Sequence, residues 1–279
     1  MPIKIITDSG SDLPVPLQAR YGIEIVPLTV TFPDGPMAEG TSAEAFYDKM
    51  ESFSELPTTA SPSPAVFLEA FRNADPASDL LVLCMSSNIS STYQSALIAK
   101  DMLLDEGFER GIEVIDTRSF SGGLSRIVAM AAAYAEGGCG LPELKERTER
   151  IIEQTSAYFT LESLENVIKG GRLSRLSGGV ASVLNIKLLL RISGEGKVEV
   201  VEKTRGFRKA VGSLLAKLDE KEHDYENSEI AIVHSGSEQL ALDVKERILA
   251  KHPFRAVHLS CMGPVMGTYA GRGGIGVAF

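Results

Sequence analysis

Three short stretches of this chain concentrate hydroxyl and carboxylate side chains: Asp8-Ser9-Gly10-Ser11, Ser86-Ser87-Asn88-Ile89-Ser90-Ser91-Thr92 and Asp116-Thr117-Arg118-Ser119-Phe120-Ser121-Gly122-Gly123. Each follows an apolar run of strand type. Hydroxyls beside free backbone N–H groups at a helix start suit a carboxylate, a phosphate or a hydroxylated ligand, since all these donors can converge on oxygen. The same residue types are the preferred N-caps of helices, so each stretch also reads as a plain helix start. A fourth stretch, Pro57-Thr58-Thr59-Ala60-Ser61-Pro62-Ser63-Pro64, adds hydroxyls held semi-rigid by prolines. It can touch a ligand or open a helix at Pro64.

Two arginines stand beside flexible backbone: Arg172 in Lys169-Gly170-Gly171-Arg172-Leu173-Ser174, and Arg205 in Glu202-Lys203-Thr204-Arg205-Gly206. A guanidinium can grip an oxyanion through two N–H groups, so both are candidate anion anchors as well as candidate surface ion-pair residues. Near the end, Gly271, Gly273 and Gly276 spell G-x-G-x-x-G, but no helix can open after them to receive a pyrophosphate. Glycines this dense imply backbone passing close to a ligand or to another strand.

The sequence has no G-x-S-x-G elbow, Walker A loop, H-E-x-x-H or C-x-x-C. His223, His234, His252 and His258 have no metal-like spacing. Only His234, before Ser235-Gly236, is placed for a site, and it serves equally as a strand-end residue satisfying local hydrogen bonds. Cys84, Cys139 and Cys261 are odd in number and far apart, so neither a disulfide framework nor a zinc knuckle is implied. No nucleophile, base and orienting group can be assembled, and neither a catalytic residue nor a metal site is expected.

The elements that must position these groups alternate. Ile3–Thr7, Glu24–Thr31, Leu80–Met85 and Ile112–Ile115 read as strands. Pro27 hints at an edge, and the continuous apolar run at Leu80 suggests cover on both faces. Helices follow from about Ser91 to Leu104, and from about Leu124 to Gly137-Gly138. Another runs from Pro142 to Thr155, with Leu144, Thr148, Ile151 and Ile152 on one face. This rhythm predicts a mostly parallel sheet whose strand ends line one edge, the usual ligand edge of such a fold. Beyond about Tyr158, strands at Leu188–Ile192, Lys197–Lys203 and Glu229–Val233 and helices at Arg208–Leu218 and Glu238–Leu249 predict a second α/β region with a mixed sheet. The expected domains are 1–156 and 157–279. Glu51–Pro64 is the longest stretch without periodicity.

The chain has 279 residues with 28 basic and 37 acidic side chains, a formal charge of −9, and 44% hydrophobic residues. An acidic balance without a basic run argues against a nucleic-acid partner. No stretch approaches the roughly 18 apolar residues of a membrane helix, so no stable membrane insertion is expected. The Met-Pro-Ile-Lys start shows no leader-like segment, and the expected location is cytoplasmic.

Taken together, these segments resemble the DegV family of fatty-acid-binding proteins, which present acyl chains to a fatty acid kinase. The carriers are Thr7-Asp8-Ser9, Pro57-Thr58-Thr59 with Pro62-Ser63, Ser86-Ser87 with Ile89-Ser90 and Thr92-Tyr93-Gln94-Ser95-Ala96, and Ile115-Asp116-Thr117. Further along are Gly170-Gly171-Arg172-Leu173-Ser174, Leu184-Asn185-Ile186-Lys187, Glu202-Lys203 with Arg205, and Gly263-Pro264-Val265 with the closing glycines. Their order covers essentially the whole chain.

The resemblance implies a two-domain DegV-like α/β fold and a long-chain fatty acid in a buried apolar tunnel, with no other cofactor. It implies a carboxylate held by Thr59 and Ser90, with Arg172 as a further anchor and Arg205 involved in handing over the head group. Tyr269, also expected at the carboxylate, stands where the family has a histidine; a phenol donates one hydrogen bond but does not become cationic. Other departures are Thr59-Ala60-Ser61 for Thr-Ser-Gln, Ser90-Ser91-Thr92 for Ser-Gly-Thr, and Ser125 for a common glycine. Ser61, Ser91 and Arg205 are therefore expected as secondary ligand or partner contacts. The implied function is a non-catalytic lipid-binding subunit that offers its carboxylate to a partner kinase. The alternative is an enzyme acting on a small phosphorylated or hydroxylated metabolite at the carboxyl edge of the first sheet.

Overall fold

A computed structural model describes residues 2–173, 186–220 and 224–279. Ser174, Leu184-Asn185 and His223 lie outside the described residues. Along the chain, β1 (Ile3–Asp8), α1 (Val15–Tyr21) and β2 (Glu24–Val26) lead to β3 (Thr29–Phe32), β4 (Gly35–Pro36), α2 (Ala43–Glu51) and β5 (Thr58–Ala60). Then come α3 (Pro64–Arg72), β6 (Asp79–Cys84), α4 (Thr92–Asp105), β7 (Ile112–Asp116), α5 (Ser121–Glu136) and α6 (Leu141–Gln154). Next follow β8 (Ala157–Thr160), α7 (Glu165–Lys169), β9 (Ile186–Ile192), β10 (Val198–Arg205) and α8 (Phe207–Asp219). The last are β11 (Glu229–His234), α9 (Glu238–Leu249), β12 (Ala256–Cys261), α10 (Pro264–Ala270) and β13 (Ile275–Ala278).

The described residues form two compact units built from non-contiguous segments. The first draws on Met1–Thr29, Ala60–Thr155 and Gly194–Lys197; the second draws on Val30–Thr59, Ser156–Ser193 and Val198–Phe279.

In the first unit, β2-β1-β6-β7 form a wholly parallel sheet. Every residue of β6 is buried, as its unbroken apolar run requires when helices cover both faces. Ile6, Leu80, Val82 and Cys84 pack with Phe67, Phe71, Ala96 and Ala99 of α3 and α4, while α5 and α6 pack against β1 and β6. The α6 face predicted from spacing, Leu144, Thr148, Ile151 and Ile152, is buried. The segment expected as one strand over Glu24–Thr31 is broken: β2 ends at Val26 as an edge strand, and β3 belongs to another sheet. Pro27 has no N–H for a ladder, and the Leu28 N–H is taken by Ser9 Oγ at 2.9 Å. α5 begins at Ser121, three residues before the predicted start.

The second unit holds a six-stranded mixed sheet, β10-β9-β8-β13-β11-β12, in which β11 and β12 are parallel and the other pairs antiparallel. Leu189, Ile230, Ile232, Ile275 and Val277 form its core with Val211 and Leu214 of α8 and Ala241, Val244 and Ile248 of α9. The glycine-rich end of the chain becomes β13, where Gly276 lies between β11 and β8 in the middle of the sheet. A small sheet, β4-β3-β5, and helices α2, α7 and α10 complete this unit. Among the described residues, no helix is long and apolar enough to cross a membrane.

Candidate functional site

The three hydroxyl-rich stretches stand at the carboxyl ends of β1, β6 and β7, adjacent parallel strands of the first unit. Most of their polar groups close the strand ends. Asp8 is fully buried and accepts the Gly10 N–H at 2.9 Å and the Met85 N–H at 2.7 Å. Burial pushes its carboxyl up to about 6, and those two N–H groups pull in the opposite direction. Thr117 Oγ1 donates to the Cys84 carbonyl at 2.8 Å, and Asp116 accepts the Arg118 and Ser87 N–H groups. Ser86 Oγ donates to the Gly196 carbonyl at 2.8 Å. Burial also raises the Cys84 thiol well above its ordinary range, with Asp8 and Asp116 adding to the effect, so this cysteine is an inert core residue.

The group around Ser90 is different, because its oxygens bond one another. Ser91 Oγ donates to Ser61 Oγ at 3.0 Å; Ser61 and Ser90 are 2.9 Å apart, and Ser90 and Thr92 are 2.7 Å apart. The Thr92 N–H also donates to Ser90 Oγ, at 3.3 Å. Four hydroxyls carry four hydrogens, and three bonds among them use three. One O–H therefore stays available. Which oxygen keeps it follows from the directions of the Ser61–Ser90 and Ser90–Thr92 bonds, in each of which either hydroxyl can donate. Ser61 and Ser91, expected as secondary contacts, thus join Ser90 in one network.

In the second unit, β5 and α10 bring Thr59 and Tyr269 together although 210 residues separate them; their hydroxyls are 2.5 Å apart. The Arg172 guanidinium lies over the Tyr269 ring, 4.9 Å from its centre, and donates to the Gly170 carbonyl at 2.7 Å. α7 closes against the same ring: a Cβ on Gly170 would sit 2.5 Å from Tyr269 Cδ1 and Cε1, so only glycine fits there. The Asn166 side chain donates to the Thr268 carbonyl at 3.1 Å, which fixes α7 on α10. These groups line a pocket of about 540 Å³ together with Ser54, Glu55, Leu56, Pro57, Thr58 and Lys169. Hydroxyls and the Arg172 guanidinium are donors a carboxylate or phosphate can use, beside the Glu55 carboxyl and Lys169, whose ammonium pairs with Glu165 at 2.6 Å. Sequence reasoning had not placed Lys169 or Thr58 in a site; the Pro-Thr-Thr and Lys-Gly-Gly-Arg stretches held the signal.

Arg205 does not line this pocket. It is exposed on the edge strand β10, opposite Ile186. His234 is buried at the end of β11 with its Nδ1 accepting the Ser237 N–H at 3.1 Å, and burial lowers its pKa. That is the strand-end role. Among the described residues, no His, Cys, Asp and Glu cluster could hold a metal ion, and Cys84, Cys139 and Cys261 are free thiols.

Fold and pocket define a class: a two-unit α/β protein with one parallel and one mixed sheet, carrying hydroxyl-rich donor sets and a cation-bearing pocket. The family model described as an uncharacterised protein of the DegV family matches residues 2–279. A DegV domain-containing protein of Caldanaerobacter subterraneus subsp. tengcongensis is 31% identical over 280 residues, covering 99% of this chain and 98% of the relative. The chain belongs to the DegV family. Among solved structures, a DegV family protein of Ruminococcus gnavus, refined with vaccenic acid, superposes with a TM-score of 0.92 at 26% identity over 99% of both chains. The Streptococcus pneumoniae fatty acid kinase B3 protein, loaded with linoleic acid, has a TM-score of 0.87 at 26% identity over 100% of this chain and 99% of that one.

Proposed function

We propose that this chain binds a long-chain fatty acid in a buried apolar tunnel and presents the carboxylate to a partner fatty acid kinase. The observation that carries this reading is the Thr59–Tyr269 hydroxyl pair at 2.5 Å with the Arg172 guanidinium over the tyrosine ring. Family relatives that superpose along their whole length hold vaccenic and linoleic acids, which supports it. Thr59, Arg172 and Tyr269 hold the carboxylate through charge-assisted hydrogen bonds, and Ser90, set in the first unit's hydroxyl network, is a further head-group ligand in this reading. Leaving a carboxylate unpaired on burial costs several kcal/mol, so affinity depends on these donors, while each buried CH₂ contributes about 0.8 kcal/mol. Ser61 and Ser91 orient Ser90. Arg205, exposed and away from the Thr59 pocket, serves the partner. The chain is the non-catalytic member of the pair and acts in the cytoplasm, where its free thiols stay reduced.

Native mass spectrometry of purified protein tests this by detecting bound fatty acid at one per chain. Thr59→Val and Ser90→Ala are expected to weaken oleate binding by about tenfold each with the circular dichroism spectrum unchanged. Protein that carries no lipid and ignores added oleate and palmitate refutes the reading. The kinase step is tested separately, by ATP-dependent acyl phosphate formation when the loaded protein meets a fatty acid kinase subunit.

A further inference from the structure

Arg272 lies three residues after Tyr269, in the turn between α10 and β13, and it reaches back to α2. Its Nη2 donates to Asp48 Oδ1 at 2.5 Å and its Nε donates to Glu51 Oε1 at 3.0 Å, so one planar group grips two carboxylates one helical turn apart. The same guanidinium lies 5.4 Å from the centre of the Tyr47 ring. Beneath this grip α2 and α10 are in close contact. Tyr47 donates to the Met262 carbonyl at 3.0 Å, and a Cβ on Gly267 would meet Tyr47 Oη at 2.7 Å and Phe46 Cε1 at 2.8 Å.

α2 leads directly into the segment that carries Thr59. Phe53 rests on Phe32 of β3 with ring centres 6.1 Å apart, and β5 pairs with β3 in the small sheet. The pocket wall from Ser54 to Thr59 is therefore pinned at the α2 end and at the β5 end. The buried apolar contacts of Phe46 and Met50 supply attraction without direction, because burial of apolar surface is non-directional, and the Tyr47 hydrogen bond to the Met262 carbonyl fixes α2 at one point. A guanidinium shared between two carboxylates fixes both the rotation and the axial position of the helix. Arg272 is tied covalently to Tyr269 and by hydrogen bonds to the helix that leads to Thr59.

We propose that Arg272 is a positioning residue, setting the register of α2 on α10 and through it the Thr59–Tyr269 donor pair; this rests on the fatty-acid reading of that pair. The ion pairs are exposed, with about a third of the Arg272 side chain and more than half of each carboxylate open to solvent. Their contribution to stability is therefore small. Their effect is on alignment, since donors must stay within roughly 0.5 Å of productive geometry.

The test is calorimetric titration of delipidated full-length protein with oleate, alongside thermal unfolding. Arg272→Gln is expected to raise Kd about tenfold, the loss expected from misaligning one hydrogen bond to a charge, with little change in Tm. Arg272→Lys keeps the charge but reaches one carboxylate at a time, and is expected to lose about threefold. Asp48→Asn with Glu51→Gln reproduces the Arg272→Gln effect while leaving the arginine in place, and carries the test should Arg272→Gln fold poorly. In a Tyr269→Phe background, Arg272→Gln is expected to add nothing, because the aligned hydroxyl is already gone. Wild-type affinity in Arg272→Gln and in the carboxylate double variant, with weakened affinity in Tyr269→Phe, overturns the positioning role and leaves the fatty-acid reading standing. Additive losses in the Tyr269→Phe background also overturn it. Wild-type affinity in Tyr269→Phe removes the donor pair from the site and the proposal with it.

Discussion

Replacing Asp8 by Asn and following stability against pH isolates the cost of one buried carboxyl. Asp8 is fully buried, its carboxyl raised from an ordinary 3.8 to about 6. The folded chain keeps this proton up to a pH near 6, whereas the unfolded chain releases it near 3.8. Between those values the folded state binds more protons, so stability falls as pH rises through the window and returns as pH falls. A shift of about two units corresponds to about 3 kcal/mol in full, of which about 1.3 kcal/mol returns between pH 7 and pH 5. Asn has no charge to desolvate at any pH. Its single carbonyl accepts only one of the Gly10 and Met85 N–H groups, a loss that is the same at every pH. Urea unfolding of both proteins at pH 7, 6 and 5 is the assay. The stability of wild type minus that of Asp8→Asn is expected to grow by about 1.3 kcal/mol from pH 7 to pH 5. Parallel curves, or a wild type that loses ground as pH falls, refute the assignment of the strain to this carboxyl.

Gly170→Ala places a methyl 2.5 Å from two Tyr269 ring carbons, while the backbone there is ordinary right-handed helix that alanine accepts. The ring must shift by about 1 Å to restore van der Waals contact, so oleate affinity is expected to fall at least tenfold with secondary structure intact; unchanged affinity shows that the ring position is irrelevant to binding. Glu229 behaves oppositely to Asp8. A hydrogen bond from His258 at 2.8 Å, helped by Arg255 and opposed by burial, lowers its carboxyl to about 2. Its stabilisation is present above its ordinary value of 4.5 and lost as pH falls toward 2. After discounting for solvent, Glu229→Gln is expected to cost about 2 kcal/mol at pH 7 and much less at pH 3, measured by urea unfolding at the two pH values.

The order of residues determined a good deal by itself. Local hydrophobic pattern is enough to define β1, β6, β7 and the helix α9, since a buried strand or an amphipathic helix needs only its own residues. The hydroxyl-rich stretches were legible for the same reason, because strand ends and helix caps are local events. Pro27 correctly marked an edge, but not that the chain would leave one sheet and enter another after it. α10 was invisible: Pro264 to Ala270 carries a glycine at 267 that argues against a helix, and only the approach of Tyr47 and Phe46 explains it. β12 was missed as well, an edge strand half-exposed along its length and so without the contrast that marks a buried one.

Tertiary structure alone decided the rest. Val30–Thr59 packs with the C-terminal half of the chain, and Gly194–Lys197 packs with the N-terminal half. Residue patterns report the period of one element, not which distant element will bury it. Thr59 in its hydroxyl-rich loop and Tyr269 in place of the family histidine were both expected at the head group, but nothing local joins them; their separation of 2.5 Å follows from α2 and α7 packing on α10. The type of donor is written in each residue, but convergence of donors is a property of packing, because it fixes groups whose sequence separation carries no local signal.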